Sequence, residues 1–199
     1  MRKSLPLFVL VAAVVIAVAV PAYGQTGAPN PGSSRANIFI QNIGSSNADL
    51  TLNFTRGANV STGPTSFSHS VTGLGQGASK SLLFTTCWQD SCSVPATNVP
   101  DGWAGAVEIA SSAPLASIVN VFWTGIPSAG TYSGVGEPST TVYMPNLLKS
   151  STRRTYVTVQ NTDATDANNI KMTYFNRNGT AVFTDTVSVP ARSMKQFDL

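Results

Sequence analysis

Leu50-Thr51-Leu52-Asn53-Phe54 carries an apolar residue at every second position, as do Thr155-Tyr156-Val157-Thr158-Val159-Gln160 and Val187-Ser188-Val189. A period of two turns one side of an extended chain to a core and the other to water, so each run predicts a half-buried strand. Ala36-Asn37-Ile38-Phe39-Ile40-Gln41-Asn42, residues 105–110 and residues 115–122 are further strand-like runs. Turn clusters separate them, among them Gly44-Ser45-Ser46-Asn47 and Arg177-Asn178-Gly179. Asn178-Gly179 predicts a tight hairpin, because both residues tolerate positive φ. After residue 24 no long window shows the i, i+3, i+4 apolar spacing of a helix. Short strands punctuated by turns predict antiparallel β-sandwiches.

The strand pattern occurs twice. Ile38-Phe39-Ile40-Gln41-Asn42 matches Val157-Thr158-Val159-Gln160-Asn161, each ending in Gln-Asn. Leu50, Leu52 and Phe54 align with Ile170, Met172 and Tyr174; Phe67 and Val71 align with Phe183 and Val187. Ala78-Ser79-Lys80-Ser81-Leu82 aligns with Ser193-Met194-Lys195-Gln196-Phe197. Self-similarity of this kind predicts tandem units of one fold. The first copy continues into the runs at 105–110 and 115–122; the second reaches Leu199 where those runs would begin. Three arrangements account for this: a fragment of a longer product, a smaller self-sufficient sheet, or an open edge completed by another chain.

The expected organisation is therefore all-β with two tandem units. Residues 36–127 form the first sandwich unit, 128–139 a Gly/Ser/Pro-rich linker, and 140–199 a second unit lacking its closing strands. Thr140-Thr141-Val142-Tyr143-Met144-Pro145 reads as a strand stopped by proline. Residues 25–35 are a flexible lead-in rich in Gly, Pro, Ser and Asn. Residues 1–24 read as a signal peptide: Arg2-Lys3, an apolar run from Leu5 to Val20, then Ala22-Tyr23-Gly24 before cleavage ahead of Gln25. That run is short for a spanning helix, and no later stretch is long and apolar enough to replace it. The expectation is a secreted, extracellular protein at the cell surface, with no membrane span after cleavage.

Charge changes the picture little. The chain has 12 Lys+Arg against 9 Asp+Glu, and without Arg2 and Lys3 it is close to neutral. Its basic residues are scattered, which argues against nucleic acid as a partner.

One resemblance emerges from these motifs. Thr141-Val142-Tyr143-Met144-Pro145, the Val157-to-Asn161 strand and Tyr174-Phe175-Asn176-Arg177-Asn178-Gly179, together with Gly102-Trp103-Ala104-Gly105-Ala106-Val107 and Pro114-Leu115-Ala116-Ser117-Ile118-Val119-Asn120, resemble tandem repeats of secreted bacterial surface proteins. The resemblance implies Ig-like sandwiches serving as stalks or adhesive modules, and it brings no catalytic residue. Before the first unit, where such repeats carry a Val-Tyr-Leu-Pro strand, this chain has Pro29-Asn30-Pro31-Gly32.

Few residues offer chemistry. Cys87 and Cys92 are the two cysteines, and in an exported chain such a pair predicts a disulfide closing a short loop around Trp88. No second Cys/His pair completes a zinc site, so neither metal nor cofactor is expected. His69, the one histidine, aligns with Asp185 and lacks the nucleophile context of a hydrolase. Trp88 and Trp103 are the candidate ligand contacts, with a core role for Trp103 as the first reading. The Asx-rich stretch 161–169 carries oxygen ligands but fits a turn better than a calcium loop. Asn53, Asn59 and Asn178 begin glycosylation sequons. The expected function is non-enzymatic: a structural or adhesive surface protein contacting other surface proteins or glycans. A carbohydrate-binding module and a filament or surface-layer subunit that self-associates through an open sheet edge are the alternatives.

Overall fold

The computed structural model describes residues 9–14, 34–83, 99–100, 102–123, 125, 128–144, 147 and 155–198. Twelve strands account for its regular structure: β1 Val9–Val14, β2 Ser34–Asn42, β3 Ala48–Arg56, β4 Ser66–Leu74, β5 Ser79–Leu83, β6 Gly105–Ser111, β7 Leu115–Trp123, β8 Ser128–Ser133, β9 Tyr156–Gln160, β10 Ala167–Phe175, β11 Ala181–Val189 and β12 Met194–Asp198. Among the described residues there is no helix.

Two four-stranded antiparallel sheets, ordered β1-β6-β3-β4 and β5-β2-β7-β8, form a β-sandwich-like core. The alternation in the sequence explains which side faces inward. Leu50, Leu52 and Phe54 of β3 and Val107 and Ile109 of β6 meet Ile38 and Ile40 of β2, Leu82 of β5 and Val119 and Val121 of β7. Burying aliphatic and aromatic side chains of this size stabilises by roughly 1.5–3 kcal/mol each. Gly105 is required at the start of β6, because a Cβ there would collide with the Trp103 ring and the Thr55 carbonyl.

β9 to β12 repeat β2 to β5 as two pairs, β9 with β12 as β2 with β5, and β10 with β11 as β3 with β4. The register is the same in both halves. Phe54 faces Phe67, Leu52 faces His69 and Leu50 faces Val71; Tyr174 faces Phe183, Met172 faces Asp185 and Ile170 faces Val187. The second set is fastened to the first. The Ala58 amide donates to the Met194 carbonyl at 2.9 Å, and Ser193 Oγ donates to the Arg56 carbonyl at 2.7 Å. Met194 is buried with Ala104 and Ala106, and Trp123 stacks on Tyr156 with centroids 6.2 Å apart.

The structure departs from the sequence reading in four places. The first unit starts at Ser34, ahead of residue 36. Residues 128–133, expected as linker, are the edge strand β8 paired with β7; backbone ladders do not need large side chains, so composition alone conceals such a strand. Residues 140–144, expected as a strand, have no ladder partner among the described residues. Residues 9–14, expected to lie within a leader, form β1 beside β6. An apolar run satisfies an unpaired sheet edge with its backbone whatever its later fate.

Candidate functional site

The Gln-Asn motif ends β2 and β9, and its asparagine does the same work twice. Asn42 is fully buried; its Nδ2 donates to the carbonyls of Ser46 at 2.7 Å and Leu74 at 2.9 Å. Its Oδ1 accepts the Gly44 amide at 2.9 Å. Asn161 Nδ2 donates to the carbonyls of Thr165 at 2.7 Å and Val189 at 3.2 Å, and its Oδ1 accepts the Asp163 amide at 3.0 Å. Each asparagine clasps the turn after its strand to the end of the strand across the sandwich. The Asx signature of both turns has this structural cause. Asp166 serves the same loop, with Oδ1 accepting the Ala191 amide at 2.9 Å. Among the described residues no three His, Cys, Asp or Glu side chains converge.

The aromatic residues divide in two. Trp103 is 0% exposed, donates from Nε1 to the Pro64 carbonyl at 2.9 Å, and packs edge-on against Phe54 and Phe67. This corrects its place among candidate ligand contacts: its indole presents no face to solvent. The burial follows from its entry into β6 over the stacked Phe54–Phe67 pair, whose centroids are 4.4 Å apart. Cys87, Trp88 and Cys92 lie outside the described residues. Tyr132 is mostly buried; burial pushes its phenol far above the ordinary range. Neither its hydroxyl nor Ser117 Oγ has a hydrogen-bond partner among the described residues. His69, half-buried on β4, has a pKa lowered by desolvation and, secondarily, by the charge of Lys80.

What remains for contact is edge and exposed apolar surface. In the first unit the edge of β3 is closed by β6 and that of β2 by β7. The corresponding edges of β10 and β9 have no partner among the described residues. Phe175, Val182 and Phe183 are about 60% exposed. Val142 and Tyr143 are 71% and 87% exposed, and Met144 is 48% exposed. Free edges beside apolar side chains are strand-accepting surfaces. The internal match in the sequence had already indicated which strands of the first unit have no described counterpart beside β9 and β10.

No family model matches the chain, and no curated protein matches it. Among solved structures it resembles the "Crystal Structure of Thermotoga maritima 1070" at 15% identity and a TM-score of 0.38, over 66% of this chain and 95% of that one. A likeness that weak carries no argument about fold or function.

Proposed function

We propose that this chain is a secreted, non-enzymatic structural or adhesive protein of the bacterial cell surface, built from tandem Ig-like β-sandwich units. The observation that carries the reading is the fastening of the repeated unit to the first by Met194, Ser193 and the Trp123–Tyr156 stack, an arrangement suited to bearing load between modules. The apolar run after Arg2-Lys3 supports export. The resemblance of the Val-Tyr-Met-Pro and Val-Gln-Asn motifs to surface repeats supports the address. Partners are other surface proteins or glycans, engaged through exposed loops and edges.

Labelling intact cells with a membrane-impermeant reagent tests the address: the protein should be labelled, with a mass beginning at Gln25. Cytoplasmic protein retaining residues 1–24 would sink this reading. Deleting the gene should reduce attachment or envelope integrity, and turnover of a glycan, ester or peptide by the purified protein at enzyme-like rates would count against a non-enzymatic role. The open edges of β9 and β10 favour a second reading, a filament subunit completed by a neighbour's strand. A protein that stays monomeric at every concentration excludes it.

A further inference from the structure

The edge of β6 away from β3 is taken by β1, whose register sets Leu10 opposite Ile109, Ala12 opposite Val107 and Val14 opposite Gly105. Val107 and Ile109 are fully buried, so this position adjoins the core and is not a decorative edge. Removing residues 1–24 strips it of its occupant, leaving β6 with one row of backbone groups unpaired and an apolar flank uncovered. Such an edge is a template for another strand.

The topology supplies one. β6 and β7 are joined by a short turn through Ser112 and Pro114, and that turn defines one end of the sandwich. β1 begins near this end, opposite Ala110, and runs to the far end at Gly105. β8 starts at the far end, where Ser128 faces Trp123, and returns to Ser133 opposite Ile118. The Gly134 amide then donates to the Ser117 carbonyl at 3.0 Å, carrying the chain further toward the turn. Stacked sheets lie roughly 10 Å apart. Residues 135–139, at about 3.3 Å each, span that gap. The segment they deliver is Thr140-Thr141-Val142-Tyr143-Met144, apolar, exposed and without a ladder partner among the described residues. Laid beside β6 in the direction of β1, it ends at the far end, where Tyr156 opens β9 against Trp123.

The residues suit the slot as well. Val142 and Met144 share one parity, so a strand laid there can turn both to the side of Val107 and Ile109. At the end from which the segment enters lie Ser117 and, on the neighbouring strand, Tyr132, whose buried hydroxyls have no partner among the described residues.

We infer that residues 140–144 replace residues 9–14 beside β6 when the leader is removed, so that the apolar run of the precursor holds the place of a strand belonging to the mature unit. The inference rests on the leader reading proposed above. It makes the precursor and the mature protein two strand arrangements of one sandwich, and it accounts for a strand-like sequence with no ladder partner among the described residues.

Hydrogen exchange read by peptide mass spectrometry tests it on the full chain and on the chain freed of residues 1–24. Removal is by export, or by cutting at a protease site engineered after Gly24. In the full chain residues 142–144 should exchange as free amides while residues 105–110 are protected. After removal residues 142–144 should slow by roughly tenfold or more, as amides in a ladder do, in a protein that light scattering shows to be monomeric. Unchanged rapid exchange overturns the inference, and so does protection confined to a dimer, which makes a second copy the occupant. Val142→Asp gives a second readout: it should lower the thermal midpoint by several degrees in the shortened chain and leave the full chain unaltered. Equal shifts in both, or none in either, overturn it. If export leaves residues 1–24 in place, the secretion reading fails by itself, and the protease-cut chain still decides the strand replacement.

Discussion

The two copies of the four-strand pattern carry nearly the same side-chain code and reach different degrees of closure. Leu50, Leu52 and Phe54 are at most 2% exposed. Their counterparts Ile170, Met172 and Tyr174 are only half-buried on the same face, at the same register, opposite equivalent partners. The difference lies outside the copied segment: β6 and β7 wall the first set, and no described strand walls the second. A period of two therefore decides which side of a strand is apolar, and neighbours decide whether that side is dry. The turns tell a parallel story. Gly77 and Arg192 both hold the left-handed conformation before the last strand of their repeat, at φ of 70° and 56°. Glycine adopts it freely, whereas arginine is strained by roughly 1 kcal/mol. That residue also ion-pairs with Glu108 at 3.1 Å, which ties the second copy to a charged group of β6.

The sharpest test of this contrast is truncation of matched core positions. Phe54→Ala should destabilise by about 3–5 kcal/mol, since it empties the packing against Phe67 and Trp103. Tyr174→Ala should cost much less, because its ring is half in water already. Urea unfolding followed by far-UV circular dichroism compares them. Equal costs would mean that the second set is sealed by contacts the first lacks.

The clasps should behave alike where the faces do not. Asn42→Ala and Asn161→Ala each strip buried carbonyls and an amide of their partner, at a cost of about 1–3 kcal/mol. A negligible effect at Asn161, with a large one at Asn42, would show that the second copy's loops are held by something other than this side chain. Smaller, and of opposite sign, is the effect of Tyr132→Phe. It removes a buried hydroxyl that has no partner among the described residues, so the variant should be more stable by about 1 kcal/mol in the same denaturation series. A loss of stability would reveal a partner for that hydroxyl.

Least in size is a pH effect at the position where the copies differ as His69 and Asp185. The folded state holds His69 below its ordinary value of 6.5. Such a group binds more protons unfolded than folded, so its stabilisation is complete above pH 6.5 and fades as pH falls through the depressed folded value. His69→Gln should flatten that part of the stability profile, measured as the thermal midpoint between pH 7.5 and pH 5. An unchanged slope would assign it to other groups.

Much of this was legible in the residues. Alternation located β3, β9 and the end of β11, strand-like runs located β2, β6 and β7, the internal match aligned the positions that share a register, and the paired Gln-Asn endings marked the positions of the two clasps. Each of these is a local property, because side-chain parity and Asx turn chemistry act over a few residues. The residue pattern left Trp103 between a core role and a ligand contact, and its complete burial fits only the first.

The tertiary structure decided matters of partnership. It made a Gly/Ser-rich stretch into β8, because a ladder is built from backbone groups that composition does not display. It left Thr140 to Met144 without a ladder partner among the described residues and set Val9 to Val14 against β6, although both segments have strand-forming or apolar side chains. Which of two competent segments occupies an edge depends on where the connecting chain runs and what else is present. That is a property of the assembled sheets, and no short-range pattern in the sequence encodes it.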